Sequence, residues 1–337
     1  MNSSASIGID LGHSSVKLSV KYGPNPLVGG VDIFPTVVRP WSQIANEDTA
    51  RKALNDTVTV NNRKFYIGVT AIRQGQAESF TGQTRNWIET DQHDALLVGA
   101  WIRANKIIET NQMRAPETIT LVLGLPASYY MEQRSSLRAR AKGLIEPLLL
   151  PSQKLRVFIE SQSRSPLLCI AVDSNGKPTG RAGDDEAWGV VEIGHFTTDF
   201  TFHDQGQEVD GAASSASGAH VVYDKISNHF KQTGYLSDFE TITTAIKTKS
   251  IKVYGKQIDV SSVVDNATKE FSAYILEEIG SRFGDKAQRM DGLIVAGGGA
   301  YIVGNDIMNL YPNAAISKNA RFVVAEGYAR FGLVTMA

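Results

Sequence analysis

"IDLGHSSVKL" (residues 9–18) and "VEIGHFTTDF" (191–200) share one arrangement of residue types. In each stretch an acidic residue lies in a short apolar run, a glycine and a histidine follow, and hydroxyl side chains lead into a second apolar run. This pattern predicts two strands joined by a tight tip, which is a β-hairpin. Each hairpin opens a segment of similar length, so the sequence predicts a pseudo-duplicated architecture.

The two stretches match residue by residue when they are aligned without gaps. The matched pairs are Asp10 and Glu192, Gly12 and Gly194, His13 and His195, and Ser15 and Thr197. A glycine at a hairpin tip lets backbone N–H groups approach an anion, because it has no Cβ atom and tolerates a positive φ. Two such tips could therefore bind a polyphosphate from two sides.

The acid that precedes each tip glycine needs a separate explanation, because a carboxylate repels phosphate. A divalent cation between the two groups removes the repulsion, and Mg²⁺ prefers oxygen ligands. We therefore expect Mg²⁺ to be held through water by Asp10 and Glu192. We expect Lys17, on the strand that leaves the first tip, to place a positive charge near the β- and γ-phosphates. Asp199 is an alternative acid in the second stretch.

A third glycine-rich stretch is "DGLIVAGGGA" (291–300), which predicts a strand that runs into a triple glycine. One short motif of this kind is common in ordinary turns and indicates little by itself. The repeat in register, together with the triple glycine, favours a phosphate site. The sequence leaves two interpretations open for His13 and His195: each contacts phosphate, or each is a polar residue that tolerates the turn.

Length and charge limit the number of domains and the kinds of binding partner that the sequence predicts. A chain of 337 residues is long enough for two domains. Its 34 basic and 35 acidic residues give a formal net charge of −1, which supplies no global attraction for nucleic acid or an anionic membrane. No secretory leader pattern and no long apolar segment is evident, so we expect a cytoplasmic protein that binds neither membrane nor DNA directly. The only cysteine, Cys169, excludes an intramolecular disulfide.

Hydrophobic periodicity predicts strands and helices around the two hairpins, as expected for an α/β protein. Further strands are predicted at 31–37, 58–60, 64–69, 118–126, 154–160 and near 206–211. Helices are predicted at 94–105, 129–146, 165–173, 218–230, 236–248 and 261–283. The polar, glycine-rich stretch 174–186 predicts a surface loop.

These motifs resemble those of the actin, sugar-kinase and heat-shock-chaperone ATPase superfamily. The two hairpin stretches are similar to its two phosphate motifs. "LIVAGGGAYI" (293–302) resembles its adenosine motif, and "NARFVVAEGY" (319–328) resembles its closing connect motif. Within the superfamily, "TGQTRNWIETDQHDALLVGAWI" (81–102) and "LVLGLPASYY" (121–130) resemble the ParM/StbA group of plasmid-segregating actin-like proteins.

The resemblance covers almost the whole chain and implies an actin-like ATPase fold, with two ribonuclease-H-like domains around a nucleotide cleft. It places domain I at 1–155 and domain II at 156–319, with a C-terminal helix at 320–337 that packs back on domain I. It implies ATP or GTP as the nucleotide and Mg²⁺ as the metal.

The resemblance also assigns roles to individual residues. Glu160 falls where relatives hold a Glu or Gln that positions the attacking water; its other interpretation is a strand-end carboxylate that caps the next helix. Glu192 replaces the aspartate that is usual in the second phosphate motif. The expected catalytic residues are Asp10, Glu160 and Glu192. The expected nucleotide-binding residues are Gly12, His13, Ser14, Ser15, Lys17, Gly194, His195, Phe196, Thr197, Gly297, Gly298 and Gly299, with Lys247 near the ribose.

The function implied by the resemblance is a nucleotide-dependent filament. The chain would assemble head to tail and act with an adaptor protein bound to centromere-like plasmid DNA. Two alternatives remain open at this point. A sugar-kinase-like phosphotransferase would need a sugar-binding aspartate, for which we find no convincing local motif. An amphipathic membrane-targeting tail would favour a non-polymerising actin-like scaffold, but the stretch "GLVTMA" (332–337) does not predict such a tail.

Overall fold

The computed structural model of the chain describes residues 3–23, 28–75, 86–111, 114–183, 185–209 and 214–336. The chain forms two compact units. Unit 1 comprises Met1–Arg181 and Phe322–Ala337, and unit 2 comprises Ala182–Arg321. Each unit contains its own central β-sheet and its own hydrophobic core.

The described part of the chain contains both strands and α-helices. The strands are β1 (Ser4–Leu11), β2 (Ser15–Gly23), β3 (Val28–Pro35), β4 (Val38–Pro40), β5 (Thr57–Val60), β6 (Arg63–Ile67), β7 (Thr118–Leu125), β8 (Lys154–Ser161), β9 (Ala187–Ile193), β10 (Thr197–Asp204), β11 (Gln207–Glu208), β12 (Ser214–Ser217), β13 (Ser250–Val253), β14 (Lys256–Asp259), β15 (Gly292–Ala296) and β16 (Ala314–Ile316). The helices are α1 (Glu47–Ala53), α2 (Gly68–Arg73), α3 (Asp91–Thr110), α4 (Ala127–Ile145), α5 (Ser165–Ala171), α6 (His220–Thr233), α7 (Phe239–Thr248), α8 (Ser261–Phe283), α9 (Ala300–Leu310) and α10 (Val323–Val334).

The central sheet of unit 1 has the strand order β3-β2-β1-β7-β8. Strand β2 is antiparallel to both β3 and β1, whereas β1, β7 and β8 run parallel to one another. Helix α3 packs against β1, β2 and β3, and α10 packs against β1, β2 and β7. Because the sheet is covered by helices, β1 is apolar along most of its length, and Ala5, Ile7 and Ile9 are fully buried.

Helix α10 approaches the sheet of unit 1 closely because two strand glycines leave room for it. A Cβ atom on Gly8 would lie 2.2 Å from the Ala325 carbonyl oxygen, and one on Gly124 would lie 1.7 Å from the Tyr328 hydroxyl. The Ser6 hydroxyl donates a 2.8 Å hydrogen bond to the Ala329 carbonyl. The last helix of the chain is therefore part of unit 1.

The boundary between the units differs from the predicted one. The predicted boundary, between residues 155 and 156, falls inside β8, which pairs with β7 from Lys154 to Ser161. Helix α5 follows and packs against α10. Because strand pairing and helix packing hold both elements in unit 1, the units divide after Arg181.

A small three-stranded sheet with the order β4-β6-β5 is inserted in unit 1, and α1 and α2 lie beside it. The sequence predicted a strand at 64–69, but β6 ends at Ile67. Gly68 has a φ of +59°, which turns the chain into α2. Helices α1 and α2 and strand β4 were not predicted, because elements of three to seven residues carry too little periodicity.

The central sheet of unit 2 has the strand order β11-β10-β9-β15-β16, with β12 paired to β10. Strands β9 and β10 form an antiparallel hairpin, and β9, β15 and β16 run parallel. An antiparallel hairpin beside parallel strands is also the plan of the sheet in unit 1. The pseudo-duplication predicted from the two hairpin stretches is therefore present in the fold.

Some segments predicted from the sequence extend beyond the residues that the structure describes. The strand predicted near 206–211 is represented by β11, and residues 210 and 211 lie outside the described residues, as do residues 81–85 of the stretch 81–102. Strand β12 and helix α9 were not predicted. Among the helices within the described residues, none combines the length and the apolar character needed to cross a bilayer.

Candidate functional site

The first hairpin, β1–β2, contains an ion pair at the base of its tip. Asp10 and Lys17 are direct partners across the two strands, and the Lys17 Nζ atom lies 2.8 Å from the Asp10 Oδ2 atom. Asp10 is only 5% exposed. A buried carboxylate needs a charged or hydrogen-bonding partner, and Lys17 supplies it. The structure thus places Lys17 on Asp10, where the sequence predicted a contact with phosphate.

The tip of the first hairpin is fixed by a residue that sequence reasoning missed. The Thr36 hydroxyl donates a 2.5 Å hydrogen bond to the Gly12 carbonyl, and the Thr36 amide donates a 3.1 Å bond to the Ser14 carbonyl. A Cβ atom on Gly12 would lie 2.9 Å from the Ser15 carbonyl oxygen, so the turn requires glycine there. The predicted residues Gly12, His13, Ser14 and Ser15 form this half-buried tip.

Glu160 lies level with Asp10 in the same sheet. In the parallel register, Ile9 pairs with Leu123, and Leu123 pairs with Ile159. The next residues along the outer strands, Asp10 and Glu160, therefore lie at the same edge and on the same face, with backbones about 10 Å apart across two strand spacings. The residue between them on β7 is a glycine without a side chain.

Burial perturbs the Glu160 carboxyl. It raises the pKa of Glu160 above its ordinary value, and the positive charge of Arg164 opposes the increase. A carboxyl group with a raised pKa accepts a proton more readily when it is ionised. Its surroundings are therefore compatible with the predicted role in orienting and deprotonating a water molecule.

The second hairpin, β9–β10, repeats the geometry of the first with a different charge. Glu192 is the direct strand partner of Asp199, just as Asp10 is that of Lys17. A Cβ atom on Gly194 would lie 3.0 Å from the Thr197 carbonyl oxygen, which matches the environment of the first tip glycine. The second hairpin thus has two carboxylates on one face where the first has a carboxylate and an ammonium group.

Hydroxyl groups hold the Asp199 carboxylate in place. The Thr197 hydroxyl donates a 3.1 Å hydrogen bond to its Oδ2 atom, and the Ser215 hydroxyl donates to its Oδ1 atom. The predicted phosphate residue Thr197 is therefore linked to an acid of the site. Asp199, which the sequence offered as an alternative acid, lies beside Glu192 on the same face.

The backbone of the second tip is anchored to the start of α6. The carbonyl oxygens of residues 194, 195 and 196 accept hydrogen bonds of 3.0, 2.6 and 2.8 Å from the amides of Ala219, His220 and Gly218, respectively. Carbonyl oxygens repel phosphate, and these three instead accept hydrogen bonds from residues 218–220. A Cβ atom on Gly218 would lie 2.7 Å from three backbone atoms of the tip, so this contact requires glycine.

The triple glycine packs against the end of β9. Gly297 has a φ of +83°, and a Cβ atom there would lie 2.3 Å from the Ile193 carbonyl oxygen and 2.8 Å from the Glu192 Oε1 atom. The Gly299 amide donates a 2.8 Å hydrogen bond to the Ile193 carbonyl. Within unit 2, Gly297 therefore lies next to the Glu192 carboxylate and Gly299 packs on Ile193, while nucleotide binding by the triple glycine stays a prediction.

The side chain of His195 lies among aromatic rings. It makes edge contacts with Tyr223 of α6 and Phe239 of α7, at centroid distances of 4.9 and 5.5 Å. Burial, reinforced by nearby His220 and opposed by Asp224, lowers the pKa of His195 to about 4. The imidazole is therefore uncharged at neutral pH. This favours the second of the two interpretations for His195, a residue that tolerates the turn, over direct contact with phosphate.

Lys247 is not brought near this cluster. It is exposed on the last turn of α7, eight residues from Phe239, which is about 12 Å along the helix axis. Phe196, by contrast, lies beside His195 at 4.7 Å between ring centroids. The predicted contact of Lys247 with the ribose stays a prediction.

The residues present fit a magnesium ion that is completed by other ligands. Among the described residues, no three His, Cys, Asp or Glu side chains converge on one point. Mg²⁺ usually keeps several waters and binds one or two carboxylates together with phosphate oxygens of a nucleotide. Unit 1 offers the Asp10 carboxylate to such an ion, and unit 2 separately offers those of Glu192 and Asp199.

Two family models match the chain. A model of the N-terminal domain of actin-like proteins matches residues 8–161, and a model of the C-terminal part of an archaeal MreB-like actin homologue matches residues 190–309. The chain is an actin-like protein. The first match contains the hairpin with Asp10, and the second contains the hairpin with Glu192 and the triple glycine.

Solved structures of ParM proteins and of an archaeal actin homologue match this chain in fold along nearly its whole length. A 15-stranded ParM filament from Clostridium botulinum is 19% identical, with 98% of this chain and 99% of that chain covered and a TM-score of 0.71. An archaeal actin homologue in complex with ADP is 17% identical (96% and 98% covered; TM-score 0.69). Bacillus thuringiensis ParM with ATP is 16% identical (98% of each chain; TM-score 0.65). The predicted actin-like ATPase fold is confirmed. No curated protein matches the chain in sequence.

Proposed function

We propose that this actin-like protein is an ATPase that binds ATP with Mg²⁺ and assembles head to tail into filaments. The observation that carries the proposal is the repeated hairpin. In both units, an acid precedes a tip glycine, faces a charged strand partner, and lies beside a tip whose carbonyl groups are held by other residues. The same device in two sheets is suited to a ligand with several phosphate groups.

Each part of the two hairpins has a role in this proposal. The backbone amides of residues 12–15 and 195–197 bind phosphate oxygens, and the triple glycine lets the nucleoside approach the backbone of unit 2. Asp10 and Glu192, with Asp199 beside Glu192, hold Mg²⁺. The ion would neutralise phosphate charge. Lys17 holds the Asp10 carboxylate in its orientation.

Glu160 orients the attacking water in the same proposal. Phosphoryl transfer needs little covalent chemistry from the protein, so positioning and charge neutralisation suffice. The support for this role is the position of Glu160, level with Asp10 on the same face of the sheet, and its raised pKa. The ionised carboxylate would accept a proton from the water as the γ-phosphate departs.

Filament formation is the proposed use of the nucleotide cycle. A head-to-tail contact joins two different surfaces of identical subunits and generates an open filament. Similarity in fold to a ParM filament supports this use. We also propose plasmid segregation through an adaptor protein bound to centromere-like DNA. The net charge of −1 supports indirect contact with DNA over direct binding.

Calorimetric titration with Mg·ATP tests nucleotide binding by both hairpins. We expect the wild-type protein to bind ATP and the Asp10→Ala and Glu192→Ala variants to lose most of that affinity. Asp48→Ala, which removes an exposed acid on α1, is the matched control and should bind normally. Loss of affinity in only one of the two hairpin variants would contradict a two-sided site. Release of ADP that depends on an added sugar would instead support a sugar kinase.

A further inference from the structure

An aromatic cluster connects the second hairpin tip to α7. We define the tip cluster as His195, Phe196, His220, Tyr223 and Phe239. Tyr223 and Phe239 stack at 5.0 Å with an interplanar angle of 11°, and the His195 ring meets both of them edge-on. Edge-to-face and stacked pairs at these distances are favourable arrangements of aromatic rings. The cluster thus forms a continuous contact from the tip to the first residue of α7.

The cluster is held rigidly at its α7 end. Asp238 caps this helix by accepting hydrogen bonds of 3.0 and 3.1 Å from the amides of Glu240 and Thr241. Phe239 is therefore fixed as the first helical residue. The Tyr223 hydroxyl lies 3.3 Å from the Thr243 hydroxyl, one turn further along α7. Tyr223 thus contacts α7 at two points.

The His195 main chain is held as firmly as its ring. Its carbonyl oxygen accepts a hydrogen bond of 2.6 Å from the His220 amide and lies 3.2 Å from the His220 Nδ1 atom. His195 is therefore a residue of the tip whose backbone is bound by α6 and whose side chain is packed against both α6 and α7. A change in the position of α7 can therefore act on the tip through the His195 ring.

We propose that His195 is a positioning residue, which couples the phosphate-binding tip 194–197 to helix α7 through its ring contacts with Tyr223 and Phe239. The proposal rests on the proposed function, because it assumes that this tip binds nucleotide phosphates. Coupling between two sites is reciprocal: if α7 stabilises the binding conformation of the tip, then nucleotide binding at the tip stabilises α7. Phe239 is 56% exposed, so the α7 end of the cluster is open to solvent.

Chemistry favours a coupling role for the ring over a direct phosphate contact. A histidine that contacts phosphate gains from being charged, whereas this imidazole is surrounded by aromatic rings and lies near a second histidine, His220. Burial holds its pKa at about 4, so it remains neutral under physiological conditions. Phenylalanine can reproduce such a contact, but alanine cannot.

Hydrogen–deuterium exchange with and without Mg·ATP tests the proposal, together with calorimetric ATP affinities. The variants are His195→Ala, His195→Phe and Phe239→Ala, with Leu236→Ala as a control at a neighbouring residue that is 71% exposed and outside the tip cluster. In the wild type, ATP should slow exchange in both the tip (191–200) and α7 (239–248). In His195→Ala and Phe239→Ala, protection of α7 should be lost and ATP affinity should fall about three- to tenfold, the size expected for an aromatic pair.

The remaining variants separate coupling from simple packing. His195→Phe should bind ATP more tightly than His195→Ala and keep α7 protected, since an aromatic ring remains. The His195→Ala, Phe239→Ala double variant should be no weaker than the worse single variant, because both changes remove the same contact. Leu236→Ala should behave as the wild type. Normal ATP affinity and normal α7 protection in Phe239→Ala would overturn the proposal.

Failure of the proposed function would be distinguishable from failure of this coupling. A wild-type protein that binds no ATP contradicts the proposed function. The ligand-free measurement then decides the coupling: Phe239→Ala must increase exchange in the tip without any nucleotide. Unchanged exchange in that segment would overturn the coupling even in a protein that binds ATP.

Discussion

The Lys17 Nζ atom lies 2.8 Å from the Asp10 Oδ2 atom, and the two residues face each other directly across β1 and β2. The second hairpin has Asp199 in the position of Lys17. The charges of Asp10 and Lys17 therefore balance in the first hairpin, whereas the same two strand positions in the second hairpin hold two carboxylates. This asymmetry makes the second hairpin the one that gains more from a bound cation.

Removing Lys17 should destabilise the protein as well as weaken nucleotide binding. Lys17→Met leaves the buried Asp10 carboxylate without its partner, and breaking such a pair costs about 3 kcal/mol of unfolding free energy. Urea denaturation measures this loss. The Lys17→Met, Asp10→Asn double variant should recover much of the stability without recovering ATP affinity. Lys52→Met, at an exposed residue of α1, should change neither quantity. Wild-type stability of Lys17→Met would show that the ion pair between Asp10 and Lys17 does not stabilise the folded protein.

Replacing Glu160 should separate hydrolysis from assembly. Glu160→Gln keeps the shape of the side chain but removes its ability to take a proton from water, so we expect phosphate release to slow by about 100-fold or more. ATP binding should remain within a few-fold of the wild type, since the carboxylate is proposed to act on water. A phosphate-release assay under saturating ATP checks this. An unchanged rate would remove Glu160 from the mechanism.

Adding one methyl group at Gly218 should disturb the second tip. The new Cβ atom would lie 2.7 Å from backbone atoms of residues 195, 196 and 197, so the tip must move. We expect Gly218→Ala to lose about 1–3 kcal/mol of unfolding free energy and to weaken ATP binding.

Gly143→Ala is the matched control for that substitution. Gly143 lies in α4 with no heavy atom within 4 Å of its Cβ position. The same change there should raise the unfolding free energy by about 0.5–1 kcal/mol. Equal effects of the two substitutions would mean that the contact between Gly218 and the tip is absent in solution.

The buried histidines should make stability fall in mild acid. The pKa of His195 is lowered to about 4, and burial also lowers the pKa of His93 below the ordinary 6.5. As the pH falls below about 6.5, the unfolded chain takes up protons that the folded chain does not, so the free energy of unfolding decreases until the pH approaches the folded pKa. His195 alone can contribute at most about 3 kcal/mol to this decrease.

Denaturation curves between pH 7 and pH 4 test the histidine contribution. His195→Phe should show a shallower loss of stability over that range than the wild type, because phenylalanine cannot ionise. Leu236→Ala should follow the wild-type curve. Identical pH dependence of the wild type and His195→Phe would contradict a buried, neutral imidazole at the tip.

The hairpins could be predicted from the sequence because their signals are local. The acid, the tip glycine and the following hydroxyl residues lie within ten positions, and the register of a short hairpin places Asp10 opposite Lys17. The strand that ends at the triple glycine, β15, could be predicted for the same reason.

Other parts of the site depend on contacts between distant residues, which one sequence does not reveal. Thr36 binds the first tip across 24 positions, and Gly218 contacts the second tip from the start of the next helix. The direction of the His195 ring is decided by the packing of α6 and α7. The boundary of unit 1 depends on the pairing of β8 with β7.

Sedimentation of the purified protein at micromolar concentration tests whether the nucleotide drives filament assembly. With Mg·ATP, the wild-type protein should move to the pellet, and with ADP or with excess EDTA it should stay in the supernatant. Asp10→Ala should stay in the supernatant under every condition, whereas Glu160→Gln should pellet with ATP and remain in the pellet longer than the wild type. A wild-type protein that binds Mg·ATP in the calorimeter but stays in the supernatant would contradict the account of a nucleotide-driven filament.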